Sequence, residues 1–269
     1  MSIREKTADC DWSDPPEDIL LTADAVHIWR AKLECGNRQI LRFHQSLAPD
    51  ERARAELFYF KKDHDHFIVA RGLLRAILAR YLDQRPEQIR FLYSPFGKPF
   101  LEGQSDRDVL RFNVSHSHGM ALFVVARGRE VGVDVEQVHS DSAHLEIARH
   151  FFSPWEAATL RALPPDVQAQ AFFNCWTRKE AYIKARGEGL SHPLHVFEVS
   201  LMPGEKAVLR RNRRDPLEVT RWSMQDLFLS QNYKAAIVVE GGGYQLKCWQ
   251  WRALGVDAEQ SRSTLKITL

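Results

Sequence analysis

VGVDVEQ, residues 131–137, places two carboxylates side by side on one face of a predicted strand. Side chains of a strand alternate between its two faces, so the three valines share one face, and Asp134 and Glu136 share the other. Like charges this close repel, and each raises the pKa of the other. A divalent cation would relieve the repulsion. This strand is therefore the first candidate for a metal site.

The composition is typical of a soluble globular protein. The chain has 269 residues, of which 44% are apolar and 27% charged, and its net charge is +2. No apolar run approaches the roughly 20 residues of a membrane-spanning helix, and the polar N-terminus lacks an export signal. Scattered cysteines without a C-x-x-C pair indicate free thiols in a reducing compartment; they are Cys10, Cys35, Cys175 and Cys248.

Helical and strand patterns occur in two successive batches. In the first, strands are predicted at 25–33, 88–94 and 109–115, helices at 48–60 and 66–83, and a hairpin from 121–126 and 131–138. In the second, helices are predicted at 144–152, 154–163 and 166–186, and strands at 206–210, 217–224, 233–240 and 244–250. We predict an α+β fold with an N-terminal half at 20–125, a C-terminal half at 126–250, and loose tails at 1–19 and 254–269.

Glu180 falls inside the apolar stripe of the predicted helix 166–186. A carboxylate directed at a core is costly unless it is paired or bound to a metal. Lys184 lies one turn further on, so one interpretation is a salt bridge at the margin of the helix. The other interpretation adds Glu180 to the two strand carboxylates as a ligand of Mg²⁺, which prefers hard oxygen donors. The three carboxylates together favour the metal site.

Basic and polar groups upstream are candidates for binding phosphate. Gly97 and Pro99 hold Lys98 in the tight turn SPFGKP, and the segment RFNVSHS ends a strand with Ser115 and His116. Arg54 and Arg71 lie on the predicted helices before them, where a solvated helix face is the plain alternative. Walker, GxGxxG, GxSxG and HExxH motifs are missing from the sequence.

Five segments, in order, closely resemble the motifs of 4′-phosphopantetheinyl transferases of the larger, surfactin-synthetase-activating class. They are FGKP, FNVSHS, VGVDVE, FFSPWE and WTRKEAYIKARGEGL. The last, W-x-x-K-E-x-x-x-K, is the most specific, and the resemblance covers about residues 20–240. It implies two similar α/β halves forming a pseudo-dimer with the active site between them. It also implies Mg²⁺-dependent transfer of phosphopantetheine from coenzyme A to a serine of an apo acyl or peptidyl carrier protein, releasing 3′,5′-ADP.

The resemblance also implies roles for individual residues. Mg²⁺ would be held by Asp134, Glu136 and Glu180, and Lys184 would contact the diphosphate. From the chemistry we expect Glu180 to be the base that takes the serine proton, directly or through a metal-bound water, with Asp134 and Lys184 as the other catalytic residues. Coenzyme A would be bound by Arg54, Arg71, Gly97, Lys98, Pro99, Ser115, His116, Lys179 and Lys184. Glu51 stands where some members have lysine, and Glu156 matches a recurrent acidic position.

We expect a cytoplasmic monomer whose partners are coenzyme A and a carrier protein, and neither nucleic acid nor a membrane. The basic loop 209–216 is a candidate contact for an acidic carrier, or a solvated turn. Two other functions stay open. A noncatalytic module would bind coenzyme A or a carrier without transfer, and a Mg²⁺-dependent hydrolase would cleave nucleotide diphosphates without any carrier.

Overall fold

Seven α-helices and eleven strands are formed by residues 10–103, 109–140 and 143–252, which the computed structural model describes. The strands are β1 (Ala25–Lys32), β2 (Phe91–Tyr93), β3 (Pro99–Leu101), β4 (Leu110–Ser117), β5 (Met120–Arg127), β6 (Val131–Gln137), β7 (Phe197–Val199), β8 (Leu209–Asn212), β9 (Trp222–Asp226), β10 (Tyr233–Glu240) and β11 (Gln245–Gln250). The helices are α1 (Asn37–Ser46), α2 (Pro49–Ala55), α3 (Lys61–Leu82), α4 (Ala143–Phe151), α5 (Pro154–Ala162), α6 (Pro165–Arg186) and α7 (Glu218–Arg221). The predicted mixture of helix and sheet is confirmed.

Two sheets pack against each other, and each carries a long helix on its outer face. The first sheet has the order β11-β1-β5-β4 and the second β6-β10-β9. The core between them contains Val131, Val133 and Val135, which confirms the predicted apolar face of β6. The other face of the first sheet packs on α3, and that of the second packs on α6. Each half therefore buries its own helix, and the halves share the central core.

The predicted hairpin of residues 121–126 and 131–138 is wrong. β5 pairs with β1 on one side and β4 on the other, whereas β6 pairs with β10 in the second sheet. All six residues from Ala121 to Ala126 are fully buried, as expected for a central strand with both edges occupied. The chain therefore crosses between sheets at the turn where the hairpin was expected.

The edges of the two sheets meet where β4 lies beside β6, at what we call the β4–β6 seam. Alternate side chains of β4, instead of its backbone, accept the N–H groups along the open edge of β6. Asn113 Oδ1 accepts from Val133 N at 3.0 Å. The hydroxyl of Ser115 accepts from Val135 N at 3.4 Å, and the hydroxyl of Ser117 accepts from Gln137 N at 3.3 Å. These polar side chains thus accept hydrogen bonds from backbone N–H groups of β6 that would otherwise have no acceptor.

Three other local expectations differ from the structure. The helix predicted at 48–60 ends at Ala55, and the strand predicted at 217–224 begins as the short helix α7. β11 pairs in parallel with β1, so residues 245–250 lie in the first sheet and not in the second half. Contacts with residues distant in sequence determine where these elements end and which sheet they join, and a local sequence pattern carries no information on those contacts.

The segment 10–19 is attached to the first sheet, so the expectation of a loose tail is wrong for these residues. Cys10 forms a disulfide with Cys248 on β11, and Ser13 bridges to Trp249 beside it. Free thiols were expected for all four cysteines, but only Cys35 and Cys175 are free. Residues 1–9 and 254–269 lie outside the described part of the chain. No helix of the described residues is sufficiently long and apolar to span a membrane.

Candidate active site

α6 approaches β6 closely because Gly132 leaves room for its backbone. A Cβ at Gly132 would collide with backbone atoms of Ala181 and Ala185. The helix ends at Gly187, whose φ of +73° suits glycine, and its length is close to the prediction. This contact brings Glu180 and Lys184 over the polar face of β6. Gly132 lies within the quoted segment, but the sequence does not indicate what packs there.

Asp134 is the centre of the polar cluster at the seam. Its side chain is buried, and its Oδ1 accepts hydrogen bonds from Ser115 Oγ at 2.8 Å and from Lys184 Nζ at 2.6 Å. Lys184 thus reaches across to β6 instead of forming the salt bridge with Glu180 considered above. The second oxygen, Oδ2, is buried without a hydrogen-bond partner. A buried carboxylate oxygen without a partner is costly, and a cation would remove that cost.

Glu136 and Glu180 share the electrostatic environment of Asp134. Burial and then the charge of Asp134 raise the pKa of Glu136, although a hydrogen bond from Ser117 at 2.7 Å opposes the shift. Burial, and next the charge of Asp134, raise the pKa of Glu180 to about 7. Repulsion of this kind arises between carboxylates that lie near one another, so Asp134, Glu136 and Glu180 act on one another where β6 meets α6.

These residues fit Mg²⁺, although they do not form a closed cage. No group of three or more His, Cys, Asp or Glu side chains within residues 10–103, 109–140 and 143–252 is arranged to hold a metal by itself. Mg²⁺ commonly takes one or two carboxylates and completes its shell with water and substrate phosphates. The unpartnered Oδ2 of Asp134 and the hard oxygens beside it satisfy that requirement.

Ser115 and His116 point to opposite sides of β4. The hydroxyl of Ser115 donates to Asp134 and accepts from Lys184 Nζ at 3.0 Å and from Val135 N. It has no donor left for a phosphate, contrary to its predicted role. The exposed ring of His116 stays accessible, and partial desolvation, followed by the charge of Lys184, lowers its pKa.

The turn with Gly97, Lys98 and Pro99 lies at the other end of the seam. Lys98 Nζ donates to Glu130 Oε2 and to the carbonyl of Ala185, both at 2.9 Å. Desolvation lowers the pKa of Lys98, and the charge of Glu130 opposes the shift. Lys98 and Pro99 line a cleft of about 230 Å³, which extends to Gly187 at the end of α6. The turn therefore borders an open cleft, but the ammonium group is directed into the protein.

The two predicted arginines differ in how freely they can bind an anion. Arg71 donates to Glu51 and to the hydroxyl of Tyr93, whereas Arg54 is exposed and stacks over the ring of Phe67 at 5.7 Å. Glu51 is almost fully buried and also accepts from Arg75 at 2.7 Å. Glu51 thus anchors the first turn of α2 to α3. This explains a carboxylate at a position where some members of the family have lysine.

Lys179 is not at the candidate site, which corrects its predicted contact with coenzyme A. Its side chain is fully buried, and Nζ lies 2.8 Å from Glu156 Oε2. It also donates to the carbonyls of Leu194 and Phe197 at 2.8 and 2.6 Å. All these partners lie within the protein. Lys179 therefore has a structural role, and because it forms a buried ion pair with Glu156, that carboxylate has a structural role as well.

Glu156→Gln is expected to destabilise the protein by about 3–5 kcal/mol, because a buried lysine would lose its carboxylate. Chemical denaturation measures this change, and transfer activity per folded molecule should stay unchanged. The control is the double variant Glu156→Gln with Lys179→Met, which leaves no buried charge unpaired, keeps an amide oxygen for the backbone N–H groups of Ser153 and Val199, and should cost less than Glu156→Gln alone. A large rise in KM for coenzyme A with normal stability would contradict the structural role.

The basic loop 209–216 is partly neutralised by neighbouring carboxylates. Arg210 pairs with Glu205 and stacks on Trp155 at 5.0 Å, and Arg213 pairs with Glu198 at 3.2 Å. Its side chains are largely exposed. Its first four residues form β8, so the predicted loop is a strand from Leu209 to Asn212. The contacts are those of a solvated surface, and the role of residues 209–216 in binding a carrier stays a prediction.

The sequence also matches known families over both halves. Residues 130–238 match the model of the 4′-phosphopantetheinyl transferase superfamily, and residues 32–128 match that of the N-terminal region of a 4′-phosphopantetheinyl transferase. The chain is 38% identical over 240 residues to the 4′-phosphopantetheinyl transferase HetI of Nostoc sp., covering 89% of this chain and 98% of HetI. The chain therefore belongs to the 4′-phosphopantetheinyl transferase superfamily, an enzyme family.

Its relatives include members of the predicted class. It is 34% identical to the 4′-phosphopantetheinyl transferase Sfp of Bacillus subtilis over 160 residues, 60% of this chain and 69% of Sfp. It is 28% identical to the L-aminoadipate-semialdehyde dehydrogenase-phosphopantetheinyl transferase of Xenopus laevis, covering 71% and 67% of the two chains. The prediction of a transferase with Sfp-type relatives and a two-part fold is confirmed.

Proposed function

We propose that this enzyme transfers the 4′-phosphopantetheine arm of coenzyme A to a serine of an apo acyl or peptidyl carrier protein, with Mg²⁺, and releases 3′,5′-ADP. The observation that carries the proposal is the carboxylate cluster at the β4–β6 seam, where Asp134 keeps one buried oxygen without a partner. The family match supports the reaction class. The cluster supports a reaction at a diphosphate that needs a cation.

Asp134, Glu136 and Glu180 would hold Mg²⁺, which supplies charge neutralisation on the diphosphate when it is bound. Lys184 is 28% exposed, so its ammonium group is accessible to solvent and can contact the same diphosphate. Positioning and electrostatic stabilisation dominate the catalysis of phosphoryl transfer. Lys184 provides one such fixed charge, because Asp134 and Ser115 hold it in place.

Glu180 is our candidate for the general base. The serine hydroxyl attacks the β-phosphorus, the bond from that phosphorus to the departing 3′,5′-ADP breaks, and the serine proton passes to Glu180 directly or through water. A base works best when its pKa lies near the working pH. Burial and the neighbouring carboxylates raise the pKa of Glu180 to about 7 without the metal, and bound Mg²⁺ would lower it, so the carboxylate is ionised and able to accept a proton at the working pH.

The remaining contacts with coenzyme A are assigned by accessibility. His116 and Arg54 are exposed and are suited to the 3′-phosphate, whereas Arg71 would have to exchange its bonds to Glu51 and Tyr93 for the phosphate. The backbone of the turn with Gly97 and Pro99 borders the cleft that would accept the adenine. Two halves within one chain complete the site without a second copy, which supports a monomer.

Carrier-dependent formation of 3′,5′-ADP tests the proposal against its two alternatives. The purified protein is incubated with coenzyme A and Mg²⁺, with and without an apo carrier, and nucleotide products are separated by chromatography. We expect 3′,5′-ADP only when the carrier is present. Formation without the carrier would indicate the hydrolase, and bound coenzyme A without any product would indicate the binding module.

Removal of divalent cations is expected to abolish transfer, because the carboxylates would then repel the diphosphate instead of binding it. The rate is measured after dialysis against EDTA and again after addition of Mg²⁺, which should restore it. K⁺ at matched ionic strength controls for screening. Full activity after dialysis, with the metal content confirmed as negligible, would contradict this prediction.

A further inference from the structure

Two matched hydrogen bonds cross the β4–β6 seam. Ser115 Oγ donates to Asp134 Oδ1 at 2.8 Å, and Ser117 Oγ donates to Glu136 Oε2 at 2.7 Å. Each serine oxygen also accepts a backbone N–H from the residue after its carboxylate, which is Val135 for Ser115 and Gln137 for Ser117. Each hydroxyl therefore connects one carboxylate to the edge of its own strand.

The register of the two strands explains this repetition. Residues two apart point to the same side of a strand, and the serines and the carboxylates are each spaced by two. Asn113 occupies the next position of the same series and accepts from Val133 N at 3.0 Å. The residue opposite this position on β6 is Gly132, so Asn113 supports the seam without contacting a carboxylate. The seam thus contains a natural control for the serines.

We infer that Ser117 is a positioning residue that orients the Glu136 carboxylate for binding the metal. This inference rests on the proposed function, because it assumes that Glu136 contributes to the Mg²⁺ site. Ser117 is only 8% exposed, and its Oγ also lies 3.0 Å from His118 Nδ1, so packing, Glu136, Gln137 N and His118 all hold the hydroxyl in place. With one carboxylate oxygen fixed by Ser117, the direction of the other is fixed as well.

Loss of this hydroxyl would leave the carboxylate free to rotate, and ordering it again would cost affinity when the metal binds. Partners that orient metal ligands typically contribute about 10–100-fold to metal affinity or activity. Ser117 also accepts the backbone N–H of Gln137, and the loss of that bond alone has a different consequence. It would weaken the seam and lower stability, as it would at Asn113, without affecting the orientation of any ligand.

Binding of Mn²⁺ to the full-length protein in the presence of coenzyme A, measured by electron paramagnetic resonance, tests the inference without relying on transfer. Ser117→Ala is expected to raise the Kd for Mn²⁺ by roughly tenfold or more. Ser117→Thr, which retains a hydroxyl, should recover most of the affinity. Asn113→Ala removes a bond of the same seam and should leave the Kd unchanged. Thermal unfolding of each variant reports the loss of stability separately.

The outcomes separate this inference from the proposed function. Equal weakening of Mn²⁺ binding by Ser117→Ala and Asn113→Ala would overturn the positioning role, and so would a normal Kd in Ser117→Ala. If the wild-type protein binds no Mn²⁺, the metal site of the proposed function fails together with the inference. If Ser117→Ala does not fold, Ser117→Cys keeps the shape with a weak donor and is expected to bind Mn²⁺ less tightly than the wild type.

Discussion

Asp134→Asn is expected to lower kcat/KM for phosphopantetheine transfer by roughly 10³-fold, about 4 kcal/mol of transition-state stabilisation. Asp134 contacts both Ser115 and Lys184, and it alone in this group has a buried oxygen without a partner. An amide has a similar shape but no charge, so the metal would lose a ligand and Lys184 its counterion. Steady-state transfer to an apo carrier measures the effect.

The sheet itself supplies the control for this substitution. Asp134 and Asp226 both pair with Ala236, one from each neighbouring strand. Each forms an ion pair with a basic residue of α6, Lys184 at 2.6 Å and Arg178 at 2.5 Å. Asp226→Asn therefore removes a similar bond at the same row of the sheet, away from the carboxylate cluster. It should lower stability but not kcat/KM, and an equal loss of activity in both variants would contradict the role of Asp134.

Glu180→Gln is expected to reduce kcat by about 10²–10⁴-fold, the usual contribution of a general base. The substitution removes the proton acceptor and one proposed metal ligand, while the length of the side chain is kept. Single-turnover transfer at saturating coenzyme A and carrier measures the chemical step. Near-normal single-turnover rates would assign the base to another group.

The free energy of unfolding distinguishes a lost base from a damaged fold. Damage to the fold would lower it, whereas removal of the Glu180 charge should not lower it at high pH. The pKa of Glu180 is raised from 4.5 to about 7 in the folded protein. The folded protein thus holds the proton more tightly than the unfolded chain, and ionisation costs stability as the pH rises from 4.5 through about 7. At pH 8, with a chelator present, Glu180→Gln should be at least as stable as the wild type. Denaturation at pH 5 and pH 8 checks this, since the difference should be smaller at pH 5.

Local patterns predicted the parts of the site that lie within single elements. The alternation of VGVDVEQ predicted which face of β6 is buried. The apolar stripe of α6 placed Glu180 among core positions, where a carboxylate must be paired or bound to a metal. Burial, together with the period of two in a strand and of 3.6 in a helix, determines these features. The convergence of the three carboxylates follows from packing α6 on β6, where Gly132 permits the close approach.

Partners distant in the chain explain what the sequence did not predict. Lys179 is adjacent to Glu180, but one helical step turns it into the core, where Glu156 neutralises it. Ser115 was interpreted as a phosphate donor because nothing local shows that its hydroxyl meets Asp134. Ser117 was overlooked for the same reason. The hairpin failed because alternation predicts a strand but not its neighbour.

The intact mass of an apo carrier protein, after incubation with this enzyme, coenzyme A and Mg²⁺, tests the central claim most directly. We predict that the carrier gains one phosphopantetheine with the wild-type enzyme, and gains nothing when EDTA is added or when Asp134→Asn replaces the wild type. Fatty acid and peptidyl carriers are tested side by side, because the claim concerns the reaction and not the pathway. Unmodified carriers of both kinds, with coenzyme A demonstrably bound to the wild-type enzyme, would contradict the account.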